Sequence, residues 1–218
     1  WKSGVEVRPV EREAIASLTG SKSDIVTPDK ANAVFQAGLS FPLDDSHPDS
    51  VALQLGNYIL GGGTLSSRLG DRIRQKEGLS YGVTSSVSVP SRGNDARFSI
   101  NAITNPDNID AVETAAMEEL TRFLADGPTE AELADAKKAW LESQKVSRAN
   151  DGGVAGQAAS NLYLDRTWAW TRDREQQVEA LTVAAIRDAF QKHVDPQKLI
   201  IIRAGDFKQG EKGSQEQP

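Results

Sequence analysis

Over residues 31–39, apolar Ala33, Phe35, Ala37 and Leu39 interleave with Asn32, Gln36 and Gly38. That period of two predicts a strand with one buried face. A loop rich in breakers follows, and Pro48 stands where the first turn of a helix accepts proline. Val51, Leu55, Tyr58 and Ile59 then recur at helical spacing as far as Leu60. Gly61-Gly62-Gly63 is expected to end that helix, because backbone without β-carbons holds a helix poorly. Leu65, Leu69 and Ile73 are spaced by four, with Arg68, Arg72 and Arg74 on other faces, and predict a second short helix ending at Gly78. The period returns to two over residues 81–89 and again over 97–103, across the turn Pro90–Asp95. The two runs predict a hairpin with one buried face on each strand.

The rest of the chain is mostly helical. Asn105 and Pro106 open a run through Ile109, Val112, Ala116, Leu120 and Phe123 that Gly127-Pro128 stops. Thr129 and Glu132 have the spacing of a capping box ahead of Leu133, Ala136, Trp140 and Leu141. Asp151-Gly152-Gly153 is expected to break the chain. Two further helices, 155–164 and 176–190, are expected on either side of Trp168-Ala169-Trp170. Leu199 to Ile202 reads as a short buried strand. Strands and helices that do not alternate one for one predict an α+β fold with a mostly antiparallel sheet. By composition, residues 1–27 form an arm or linker, 28–208 the folded domain, and 209–218 a disordered tail.

The 218 residues are 38% hydrophobic and 26% charged, as a globular chain requires. The balance of 25 − 31 = −6 disfavours nucleic acid, whose affinity rests on neutralised phosphates. No apolar run reaches the roughly 18 residues of a membrane span. Absence of cysteine excludes disulfides and thiolate chemistry. The chain opens Trp-Lys-Ser-Gly without methionine, which reads as a piece or a processed product. Histidine is the strongest limit: only His47 and His193 occur, and neither lies in a His-x-x-Glu-His pattern or its inverse. No Gly-x-Ser-x-Gly turn exposes a serine. The chain alone is expected to break no bonds and to hold no metal or cofactor. His47 reads as a helix-cap or solvent residue and His193 as a complement to a helix dipole. Trp140, Trp168 and Trp170 read as core or inter-domain anchors.

The most specific segment is 60–83. Gly61, Gly62 and Gly63 are on their own a helix break, since a phosphate cradle would need Gly-Lys-Ser/Thr. Arg74 closes one helix and Tyr81 opens a strand across the Gly78 turn, so both side chains could project from one edge of the sheet. A guanidinium offers a planar fork of donors and a phenol one directed donor, enough to hold an extended peptide backbone and stabilise an oxygen that gains charge. Ordinary packing of a surface arginine and a half-buried tyrosine is the alternative.

Asp29-Lys-Ala-Asn-Ala33, Asn57-Tyr-Ile-Leu-Gly-Gly62, Ser67-Arg-Leu69, Arg74-x6-Tyr81 within Gly78-Leu-Ser-Tyr-Gly-Val83, Thr129-Glu-Ala-Glu-Leu133 with Lys137, and Ala204-Gly-Asp-Phe207 occur in this order. As a set they resemble the pitrilysin/insulinase family of zinc peptidases, which includes mitochondrial processing peptidase, and specifically its second, zinc-free domain. The resemblance implies an antiparallel sheet of about six strands with helices packed on one face. It implies a clam-shell chamber in which zinc lies on a catalytic partner domain, fused or separate, while Arg74 and Tyr81 face it and position an extended peptide. It places the glycine-rich loop of the family's non-catalytic subunits on Gly61, Gly62 and Gly63, in a much shorter form than the mitochondrial one. A purely structural or docking subunit derived from a peptidase is the alternative. Bacterial relatives are often exported, which inclines the expectation of compartment toward the periplasm.

Overall fold

A computed structural model describes residue 4, residues 13–14, 19–63 and 66–207. The expected tail 209–218 and most of the expected arm lie outside these residues. Five strands form the sheet among the described residues: β1 (Ser21–Val26), β2 (Ala33–Pro42), β3 (Ser80–Ser88), β4 (Asp95–Thr104) and β5 (Ile200–Gly205), in the order β1-β5-β2-β4-β3. The alternation read in the sequence is the burial pattern of β2, where Ala33, Phe35, Ala37, Leu39 and Phe41 all point inward. Antiparallel pairing sets Phe35 opposite Ala102, Ala37 opposite Ile100 and Leu39 opposite Phe98, which gives the sheet one continuous apolar face. Among the described residues no element covers the opposite face, where Val34, Ile103 and Ile202 are exposed.

Two expectations need correction. Among the described residues the sheet has five strands where about six were implied; it is mostly antiparallel as expected, with β1 alone running parallel, to β5. Residues 21–26, assigned by composition to the arm, are that parallel strand. Every residue of β1 is exposed, so no alternation marks it. Its backbone ladder to β5 holds it, together with ion pairs from Arg203 to Asp24 and from Lys22 to Glu113 on the neighbouring helix.

The helices cover the apolar face. They are α1 (Ser50–Asn57), α2 (Ile109–Asp126), α3 (Glu130–Arg148), α4 (Asp151–Tyr163), α5 (Trp168–Ala180) and α6 (Val183–His193). Phe190 of α6 meets Phe98 and Phe123 edge to face, with ring centroids 6.2 and 5.0 Å away, and ties α6, α2 and β4 into one core. No described helix is long and apolar enough to cross a membrane.

Several helix boundaries differ from the periodicity reading, each because a side-chain cap decides. Gly152 and Gly153 lie in the first turn of α4, where both amides donate to Asn150 Oδ1. Trp168 and Trp170 begin α5 rather than separating helices, after Thr167 caps it. The single helix expected over 176–190 is divided at Leu181, because Thr182 accepts the Ala185 amide and starts α6. Trp170 carries the Arg166 guanidinium 4.0 Å from its ring centre, and Arg166 grips Asp45 with two bonds of 2.7 and 2.8 Å. Trp140 packs against the core while Trp168 is nearly half exposed.

The capping box at Thr129 forms as expected. The Glu132 amide donates to Thr129 Oγ1, and the Thr129 amide donates to Glu132 Oε2 at 2.7 Å. The same carboxylate receives Arg68 through two 2.7 Å bonds, so one side chain both caps α3 and fixes the segment leading from the glycine loop. Partial burial raises the Glu132 pKa, but bonds from Arg68 and Thr129 outweigh it and hold the carboxyl at about 2 against its ordinary 4.5. A folded-state pKa below the unfolded one stabilises the fold above about pH 4.5 and loses that contribution as pH falls toward 2. After allowance for solvent screening the contribution is about 1–2 kcal/mol. Glu132→Gln is therefore expected to flatten the acid limb of a stability-versus-pH curve below pH 4.5, measured by urea unfolding, and to leave m unchanged.

Candidate substrate-positioning site

The helix that starts at Ser50 does not stop before the glycines. It widens at Tyr58 into a π-helical turn, Tyr58–Gly62, whose closing bond runs from the Gly63 amide to the Tyr58 carbonyl at 2.8 Å. A second π-helix, Gly70–Lys76, lies on the far side of the loop and ends with Glu77 N–H donating to the Arg72 carbonyl at 3.0 Å. π-Helical turns are rare and concentrate at functional sites. Here two of them flank one loop.

Gly61 explains why the first turn can sit so close to the sheet. A β-carbon there would lie 2.6 Å from the Ser85 amide nitrogen and 2.8 Å from a Leu69 methyl. Beside it Asn57 closes a reciprocal pair with Ser85: the Ser85 hydroxyl donates to Asn57 Oδ1 at 2.7 Å, and Asn57 Nδ2 donates to the Ser85 carbonyl at 3.3 Å. Gly61 is thus buried beneath the loop, whereas Gly62 and Gly63 form the wall of a small cleft of about 260 Å3. Arg74, Asp71, Gly82 and Thr84 line the same cleft.

The three arginines of this segment have different fates. Arg68 is held by Glu132 and donates to the Gly127 carbonyl at 3.1 Å. Arg72 is clasped by Glu77 and Glu118 and donates to the Ala115 carbonyl. Arg74 is exposed and, among the described residues, has no hydrogen-bond or ion-pair partner. The one carboxylate on the cleft wall, Asp71, accepts instead from Gln75 Nε2 at 3.1 Å.

Tyr81 owes its position to an irregular ladder. Ser80 pairs with Thr104 and Gly82 with Ile103, so Tyr81 is the extra residue of a β-bulge. Bulges re-aim side chains at sheet edges. This one is clamped from below: the buried Ser80 hydroxyl accepts the Gly82 amide at 3.1 Å and reaches the Ile103 carbonyl at 2.7 Å. Thr104 Oγ1 also donates to the Leu79 carbonyl. The phenol is left 70% exposed, beside Gly82 on the rim of the cleft and not within its lining. Thus Arg74, Gly62 and Gly63 share one cleft, with Tyr81 next to it and Gly61 below. Sequence reading did not identify the π-turns, the Asn57–Ser85 pair or the Ser80 clamp. Asn57 and Ser80 did stand within the quoted motifs.

The arrangement presents donors to an acceptor, and the one carboxylate on its wall, Asp71, is engaged by Gln75. It does not fit a catalytic zinc site, since no His-x-x-Glu-His occurs in the sequence and neither histidine borders this cleft.

The family model of the peptidase M16 inactive domain matches residues 4–140. This chain belongs to that family. It is 25% identical over 169 residues to a Helicobacter pylori protein named "Non-peptidase homolog YmxG", covering 77% of this chain and 38% of that protein. The crystal structure of a peptidase M16 inactive domain from Pseudomonas fluorescens superposes with TM-score 0.78 at 29% identity, over 89% of this chain and 45% of that one. The chain therefore spans less than half the length of these two relatives. The inactive peptidase domain solved from Bordetella parapertussis shares the fold at 18% identity, with TM-score 0.65 over 86% of this chain and 96% of that one.

The glycines make a testable contrast. Gly61→Ala is expected to destabilise by about 1–3 kcal/mol, because overpacking against a backbone amide exceeds any gain in helix propensity. Gly82→Ala, where a β-carbon meets nothing within 4 Å, is expected to stay within about 0.5 kcal/mol of the parent in the same thermal melt.

Proposed function

We propose that this chain is the zinc-free half of an M16-type metalloendopeptidase and that it positions an extended peptide for a catalytic partner domain. The observation that carries the reading is the pair of uncommitted donors, Arg74 in the lining of a glycine-walled cleft and Tyr81 on its rim. Arg68 and Arg72, close by in sequence, are already neutralised by carboxylates and add nothing to that cleft's field. A guanidinium and a phenol with no internal partner can bind backbone carbonyl oxygens of a substrate and strengthen those bonds as charge develops on the scissile oxygen. The exposed backbone of Gly62 and Gly63 admits a peptide close to the wall. The partner domain supplies the metal and the general base; this chain binds, orients and narrows the space left to water. The uncovered sheet face beside Tyr81, with Val34, Ile103 and Ile202, suits the wall of an enclosed chamber.

The test is turnover by the complete assembly. Arg74→Ala and Tyr81→Phe are each expected to lower kcat by about 10–1000-fold, the scale of a lost oxyanion donor, with zinc content and folding unchanged. Both side chains are exposed, so neither substitution should move stability by more than about 0.5 kcal/mol. Normal turnover in both variants would leave the structural or docking subunit as the better reading.

A further inference from the structure

The two histidines, far apart in sequence, meet in the fold. His47 lies in the loop before α1, Asp49 sits at that helix's N-cap, and His193 is the last residue of α6. His193 Nε2 is 2.8 Å from Asp49 Oδ2, and His47 Nδ1 is 3.8 Å from the same oxygen. The three atoms all lie within 4.8 Å of one another. The rings stand edge to face with centroids 5.4 Å apart. We infer that His47, Asp49 and His193 form a binding site for zinc(II) or a similar late first-row divalent cation, which fastens the loop before α1 to the end of α6.

Geometry supports the assignment. Ligands about 2.1 Å from a tetrahedral zinc are about 3.4 Å apart; the two separations from Asp49, 2.8 and 3.8 Å, bracket that value, and the two imidazole nitrogens lie within 4.8 Å of each other. His47 Nδ1 accepts the Asp49 amide at 3.1 Å, so the ring stands beside the cluster and must turn from that amide to give its lone pair to the ion. The Phe41 ring, 5.3 Å from His193, gives the site an apolar side. The fourth position faces a cleft of about 740 Å3 lined by both histidines, where water can complete the shell. Two imidazoles and one carboxylate select zinc-like ions over magnesium or calcium, which prefer oxygen.

One group opposes the ion. Lys192 Nζ lies 2.8 Å from Asp49 Oδ2 and occupies the carboxylate with its own charge. Its side chain is 58% exposed and can swing into water. This supplies a variant that should strengthen binding without touching a ligand.

The experiment is calorimetric titration of the tag-free protein with zinc chloride at neutral pH, alongside cobalt(II) absorption as a probe of imidazole ligation. The expected result is saturable 1:1 binding, a raised melting temperature with zinc, and no response to magnesium. His47→Gln and His193→Gln should each weaken zinc binding at least tenfold, and Lys192→Gln should tighten it several-fold. Absence of saturable binding in the parent, or equal affinity in both histidine variants, would overturn the site. If a histidine variant unfolds, the Lys192→Gln comparison decides, and unchanged affinity there counts against it.

Discussion

The approach of the Tyr58–Gly62 turn to β3 constrains the rest of the molecule. β3 is the edge strand of the sheet, with a backbone ladder on one side only. What packs over its inward face is the π-turn, close enough that the Ser85 amide would be 2.6 Å from any β-carbon on Gly61. Asn57 and Ser85 then satisfy each other's polar atoms in a place where water is largely excluded. With the turn seated, Gly62 and Gly63 emerge at the surface beside Gly82, and the second π-helix is left to complete the cleft with Arg74. Raise the turn by the width of a methyl group and the wall no longer meets its neighbours. The glycine run matters first as close packing and only then as open backbone.

Electrostatics divides the neighbouring arginines by the same logic. Arg68 and Arg72 reach carboxylates on α2 and α3, and in doing so they fix those helices to the loop. Their rotamer freedom is lost on folding and repaid by charge-assisted bonds. Arg74 points the other way and keeps its freedom. Asp71, three residues earlier and sharing its cleft, is engaged by Gln75.

What the sequence made legible follows from burial. β2, β3 and β4 are half-buried strands, and half-burial writes a period of two into the residues. β1 is exposed throughout, so its place in the sheet depends on a partner strand some 180 residues away and leaves no local mark. The capping box at Thr129 was readable because both partners lie three residues apart. The break at Thr182 was not, since a lone threonine in an amphipathic run announces no cap. The π-turns, only five and seven residues long, are too short to show a period. At the site, the spacing of Arg74 and Tyr81 could be read directly. Which arginine stays free could not, because Glu118 and Glu132 come from distant helices. His193 and Asp49, 144 residues apart, meet only through the packing of α6 on α1.

A positioning site works only if its donors are held more firmly than the ligand they orient. Here the firmness lies in the backbone. Tyr81 hangs from a bulge whose flanking residues are pinned by the Ser80 hydroxyl and by Thr104, so its Cα is fixed although its ring is free. Arg74 rises from a helix anchored by the adjacent buried Ile73 and by Arg72's grip on α2. Only the last bonds of each side chain remain to be ordered when a ligand arrives, at a cost of about 1–2 kcal/mol each. Charge-assisted bonds to a developing oxyanion exceed that cost, while neutral bonds to a ground-state carbonyl roughly balance it. On the function proposed above, donors mounted in this way would favour the transition state over the bound substrate.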